Sequence, residues 1–178
     1  SVMTCSPSYL VMGMSAITFY GGINGAEKFK KDVKERSGLS VSIGSDSTKN
    51  ALNAFGGIKN VAFFSPYFPA ANEQVSLYLE ESGFNVKKDL CLQCNTWTDI
   101  AKVNKDTMFS SLKEIDSDNI DALIQVGTNL PMATFTEDFE STFDKPIIAI
   151  NTATYWDALR RNNITDKING FGKLLSEY

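Results

Sequence analysis

The 178-residue chain contains no histidine. That absence removes Ser-His-Asp and Cys-His nucleophilic catalysis and nearly every zinc hydrolase design. Any proton transfer then falls to Asp, Glu, Lys, Tyr, Cys or a bound water. Cysteine is scarce too: Cys5, Cys91 and Cys94 are too few for a disulfide framework. Cys91-Leu-Gln-Cys94 has C-x-x-C spacing, but it lies inside an alternating run that begins at Val86, not at a helix start. A zinc site would want four ligands, and Cys5 alone is left to help. Reduced cysteines on a strand are the plainer reading, and neither a metal nor a cofactor is expected. No apolar run approaches ~20 residues, which speaks against a transmembrane helix and a membrane partner. The opening Ser1-Val-Met-Thr-Cys-Ser-Pro7 lacks the charged and apolar regions of a signal peptide, and the cytoplasm is the default compartment. The missing initiator Met points to a processed, tagged or truncated start. There is no basic surplus either, since the net charge is −4. The one local cluster, Lys28, Lys30, Lys31, Lys34 and Arg36, shares its helix with Glu27, Asp32 and Glu35. A solvated helix face is expected, not a nucleic-acid partner.

What is present reads as a soluble globular chain, with 43% apolar and 21% charged residues. Its length fits one domain or two small ones sharing an interface. Short apolar runs alternate with amphipathic stretches. Strands are expected at 9–13, 40–44, 60–65, 85–93, 121–127 and 146–150. Helices are expected at 24–36, 47–55, 70–82, 98–115, 132–143 and 153–161, with a short one after 167. Ser37-Gly38, Gly56-Gly57 and Ser82-Gly83 supply helix stops, and Asp144-Lys-Pro146 leads into a strand. In 70–82, Ala71, Val75, Tyr78 and Leu79 share one helix face. Val61-Ala-Phe-Phe64 and Ile147-Ile-Ala-Ile150 are continuous apolar strands of the kind parallel sheets bury on both sides. The pattern is βαβ winding, an α/β fold.

Two runs, Tyr9–Ser15 and Asp121–Asn129, each end in a glycine and a small polar tip. Ligands of open α/β sheets sit outside the carboxyl ends of the strands, so the tips suggest one cleft between two halves of the chain. One half would be 48–144 and the other 1–47 plus 145–178, whose three strands are thin for an independent layer. The tips are Gly13-Met14-Ser15, Gly44-Ser45-Asp46, Ser65-Pro66-Tyr67, Gly127-Thr128-Asn129 and Asn151-Thr152. They contain no Lys or Arg, so a carboxylate would be held by oriented N–H and O–H donors. Each tip alone could equally be a turn or a helix cap. Tyr155, Trp156 and Phe171 either pack the core or form a homo-oligomer face, and the core is the expected outcome.

Leu10–Gly22 resembles the first catalytic loop of arylmalonate decarboxylases and maleate cis-trans isomerases, in the aspartate/glutamate racemase superfamily. The resemblance runs in order through Ser37-Gly-Leu39, Ala62–Glu73, Asp121–Leu130, Lys145-Pro-Ile-Ile, Tyr155-Trp-Asp-Ala-Leu159 and Gly170–Leu175. It implies two flavodoxin-like (Rossmann-like) parallel-sheet halves facing a central cleft, the first half incomplete. Roughly 60 further residues would be expected upstream, a strand and helix with their connections.

The resemblance also implies roles. Gly13, Met14 and Ser15 match the loop on one side of the carboxylate pocket, which reads Gly-Thr-Ser in the decarboxylases. Tyr67 matches the tyrosine that helps bind the carboxylate, and Gly127, Thr128 and Asn129 match the second loop. Racemases of the superfamily carry a cysteine on each loop, and the decarboxylase keeps the second as proton donor. Here both places hold glycine, Gly13 and Gly127. The expectation is a cofactor-independent decarboxylase or isomerase of a small carboxylate, with Tyr67, Ser15, Gly127 and Thr128 carrying the chemistry. The alternative is a non-catalytic binder of a small organic anion on the same fold.

Overall fold

The computed structural model describes residues 2–178. Six strands are found where strands were expected: β1 (Leu10–Val11), β2 (Val41–Ser42), β3 (Asn60–Ser65), β4 (Asn85–Cys91), β5 (Ala122–Gln125) and β6 (Ile147–Ala149). They form two parallel sheets, a pair β1-β2 and a four-stranded sheet ordered β4-β3-β5-β6. The fold class is α/β, as expected. One placement differs. Residues 145–178 were expected to return to the first half; β6 instead pairs with β5, Ile124 opposite Ile148, while α8 does pack against α3 and the small sheet. A short helix and the left-handed Asp144 (φ 52°) turn the chain straight back beside β5.

The helices are α1 (Ala16–Phe19), α2 (Gly22–Ser37), α3 (Gly44–Phe55), α4 (Pro69–Glu81), α5 (Trp97–Ala101), α6 (Lys105–Ile115), α7 (Thr136–Phe143), α8 (Ile150–Arg161) and α9 (Lys173–Glu177). Helix α1 was not expected, because four residues carry no readable period. The helix expected over 98–115 is two. Asn104 interrupts it by capping α6, its side chain accepting from Thr107 N–H at 2.9 Å. None of the helices is long and apolar enough to cross a membrane, among the described residues.

Strand β3 shows why the larger sheet is stable. Val61 and Phe63 face one core with Val75, Tyr78 and Leu79 of α4. Ala62 and Phe64 face the other, with Met108, Leu112 and Phe139. Side chains alternate along a strand, so a sheet covered by helices on both sides needs every position apolar. Each buried Phe contributes about 2–3 kcal/mol of transfer free energy. The first core also takes in Phe19, Val41 and Ile43, which joins the small sheet to the large one. Trp156 is in that core and Phe171 packs against it, while Tyr155 is exposed.

A buried carboxylate ties the small sheet to its helices. Asp157 of α8 accepts hydrogen bonds from Ser42 Oγ (2.6 Å), Ser47 Oγ (3.2 Å) and Asn50 Nδ2 (2.8 Å). Arg161 Nε pairs with it at 2.9 Å. Replacing Asp157 by Ala strips the partner from β2, α3 and α8 together. The expected outcome is a loss of about 3 kcal/mol in unfolding free energy, read in urea as a lower midpoint at unchanged slope.

Candidate active site

The carboxyl ends of the strands converge on a cleft of about 300 Å³ lined by Gly13, Met14, Pro66, Tyr67, Trp97, Ile100, Gly127, Thr128 and Asn129. Six of the seven site residues expected from sequence are on that wall. The seventh, Ser15, is fully buried. Helix α1 starts immediately after it and turns its side chain inward, where Ser15 Oγ and Tyr67 Oη share a hydrogen bond of 3.2 Å. Ser15, expected to meet a ligand directly, therefore does not line the cleft and reaches it only through its hydrogen bond to Tyr67.

Two other expected tips lie apart from the cleft. Gly44-Ser45-Asp46 is the first turn of α3, and Asp46 is drawn into a separate buried group with Lys30 and Tyr78 Oη. Burial works to raise the Asp46 carboxyl, but the bonds from Lys30 and Tyr78 prevail and hold it below its ordinary value. Asn151 sits behind the wall, donating through Nδ2 to Thr128 O at 2.9 Å.

Tyr67 is fixed from both sides. Its N–H donates to Ser65 Oγ (3.0 Å), and Ser65 is itself bonded to Asn72, whose Nδ2 reaches Asp89 at 2.7 Å. Its carbonyl accepts from Gln93 N–H at 3.2 Å. Burial pushes the phenol above its ordinary value of 10.0, only partly opposed by the Ser15 hydrogen bond. At neutral pH the cleft therefore holds a protonated phenol, a donor to an anion and a proton source.

Among the described residues no charged side chain lines the cleft. Among the described residues, the backbone N–H groups of Gly13, Met14, Gly127, Thr128 and Asn129 have no protein acceptor. A small carboxylate could be met by such fixed donors without an ion pair. Among the described residues no group of three or more His, Cys, Asp or Glu is placed to hold a metal.

Trp97 and Ile100 were not foreseen as wall residues. The available signal was an N-cap: Thr96 Oγ1 accepts from Asp99 N–H (3.1 Å) and donates to Asp99 Oδ2 (2.7 Å), which starts α5 at Trp97. Trp97 is 64% exposed. Beyond it opens an apolar annex of about 540 Å³ that shares Pro66, Tyr67, Trp97 and Ile100 with the cleft and adds Tyr20, Phe68 and Cys94. All three cysteines are free. Burial, aided by the charge of Asp99, pushes the Cys94 thiol up, so it stays protonated near neutrality.

The two glycine tips differ physically. A Cβ at Gly13 would meet nothing within 4 Å. Gly127 has φ +118°, and a Cβ there would come within 2.6 Å of Pro66 Cδ.

The family model described as arylmalonate decarboxylase matches residues 6–175. The maleate isomerase of Nocardia farcinica is 26% identical over 120 residues, covering 67% of this chain and 48% of that protein. The chain thus spans about half the length of the curated relatives it matches. A solved Cys-to-Ser variant of the Nocardia farcinica maleate cis-trans isomerase carries a covalently bound succinylcysteine intermediate. It superposes with a TM-score of 0.92 at 21% identity, over 99% of this chain and 74% of that one. A crystal structure of arylmalonate decarboxylase gives 0.90 at 20% identity, over 99% and 78%.

The contrast between the glycines is testable by thermal unfolding. Gly127→Ala is expected to cost about 1–3 kcal/mol through the forbidden dihedral and the Pro66 clash. Gly13→Ala is expected to lie within about 0.5 kcal/mol of the parent.

Proposed function

The chain belongs to the arylmalonate decarboxylase family, and on that premise we propose that its cleft is the active site of a cofactor-independent decarboxylase or isomerase of a small carboxylate or dicarboxylate. The observation that carries the reading is the charge-free cleft of unpaired N–H donors beside a protonated phenol. A ligand carboxylate is met by N–H groups of the Gly13 and Gly127 loops and by Tyr67 Oη. When a C–C bond to a second carboxylate breaks, CO₂ leaves and the electron pair becomes an enolate on the remaining carboxylate. Donors already aimed at those oxygens stabilise the new charge without reorganising. The Tyr67 phenol then gives its proton to carbon and recovers one from water. Ser15 holds the phenol in place, and Gly127 and Thr128 act through their backbone. The adjoining annex, walled by Trp97, Phe68 and Tyr20, has room for an apolar substituent on the ligand.

The second reading, a non-catalytic binder of small organic anions, is favoured by one observation: none of the three strand tips that line the cleft, at Gly13, Tyr67 and Gly127, offers a thiol.

A turnover screen of the full chain with phenylmalonate, methylmalonate and maleate separates the two. The expected result is product from at least one acid, with Tyr67→Phe lowering kcat by roughly 10²-fold or more. Stabilisation against heat by these acids without any product would establish the binder instead. Neither stabilisation nor product would remove the cleft as a carboxylate site. Because burial lifts the phenol above 10.0, it stays protonated below that pH. The basic limb of the pH–rate profile that Tyr67 controls is therefore expected above pH 10, with activity lost as the phenolate forms.

A further inference from the structure

The second loop of the cleft is tied down through its carbonyls. Gly127 O accepts from Gln125 Nε2 at 2.7 Å and from Leu130 N–H at 3.1 Å. Thr128 O accepts from Asn151 Nδ2 at 2.9 Å. Asn129 donates through its own Nδ2 to Trp97 O. Gln125 is buried to 1% exposure at the end of β5, a place where an amide is costly unless it is bonded. Neither Gln125 nor Asn151 lines the cleft, so the carbonyls they hold are turned toward residues behind the wall.

A trans peptide is planar, with its C=O and N–H on opposite sides. Pinning the Gly127 carbonyl therefore orients the Thr128 N–H, and pinning the Thr128 carbonyl orients the Asn129 N–H. Both N–H groups belong to cleft-lining residues and have no protein acceptor among the described residues. We infer that Gln125 and Asn151 are positioning residues, which aim the Thr128 and Asn129 N–H groups into the cleft as a paired site for a ligand carboxylate. The inference rests on the reading that this cleft takes a carboxylate. It assigns function to a buried amide, Gln125, and a part-buried one, Asn151.

The test is a titration of the ¹⁵N-labelled full chain with phenylacetate, a carboxylate with no second group to lose. In the parent, the Thr128 and Asn129 amide resonances are expected to move downfield and saturate. In Asn151→Asp a carboxylate faces the Thr128 carbonyl where a donor stood. In Gln125→Met the side-chain length is kept and the donor lost. Each is expected to weaken binding about tenfold and to shrink the shifts at 128 and 129, while the Met14 amide still responds. Should Asn151→Asp fail to fold, Gln125→Met alone decides. Unchanged affinity and unchanged shifts in the folded variants would overturn the inference. So would a parent response confined to Gly13, Met14 and Tyr67, which leaves the carboxylate cleft standing. A parent that responds nowhere overturns the cleft reading and the inference with it.

Discussion

The site depends on the parallel register between β3 and β5. Phe64 lies opposite Gln125, and Val126 N–H closes on Phe64 O at 3.0 Å, so the two strands end side by side. In a parallel pair both carboxyl ends necessarily emerge at the same edge. The chains leaving them run in contact, Pro66 against Gly127. A slip of one residue would exchange the faces of Phe63 and Phe64, and with them the two cores. The cleft thus inherits its geometry from a register that the whole hydrophobic pattern enforces.

Most of this was legible along the chain, for physical reasons that also mark where legibility stops. Val61–Phe64 and Ile147–Ala149 could be read as strands because burial on both faces demands unbroken apolar runs. The same property hides which sheet a strand joins: Ile147-Ile-Ala looks alike beside β2 or β5, and the short return through Asp144 decides for β5. Helix 98–115 read as continuous because apolar residues recur across the break, whereas Asn104 splits it through a local cap. Gly13, Met14, Tyr67, Gly127, Thr128 and Asn129 could be placed on the cleft because strand ends named their tips and the resemblance chose among them. Strand ends alone also named Gly44-Ser45-Asp46 and Asn151-Thr152, which lie apart from the cleft. The inward turn of Ser15 could not be read, since it follows from a four-residue helix with no periodic signal of its own. Nor could Gln125 and Asn151, whose roles are fixed by peptide planes rather than by sequence spacing.

Charge is kept out of the cleft by being used elsewhere. Asp46, at a strand tip, is engaged by Lys30 and Tyr78, and Asp157 is satisfied by three neutral donors and Arg161. Both carboxylates are engaged in the frame of the small sheet and its helices, and neither lines the cleft. What remains there are neutral dipoles: backbone N–H groups, the Tyr67 phenol, the Thr128 hydroxyl and the Asn129 carboxamide. A lysine at the same place would have to be desolvated and then reorganise around each charge state of the ligand. Fixed dipoles avoid both costs, and their attraction for an oxyanion grows as charge accumulates on it.

Gly13 and Gly127 look the same in the sequence, each closing a strand of the cleft, but the structure gives them unequal freedom. At position 13 the backbone is ordinary and the space around a Cβ is open, so nothing in the packing requires glycine. At position 127 the positive φ and the Pro66 ring both require it. Pro66 in turn precedes Tyr67, and its carbonyl holds Cys94 N–H at 2.9 Å. Relieving the clash by moving Pro66 would therefore disturb the phenol on one side and the annex wall on the other. A side chain at 127 and a well-placed Tyr67 are thus competing demands on one contact. Chemistry built on backbone donors and a phenol is compatible with that contact, and chemistry built on a thiol at 127 is not.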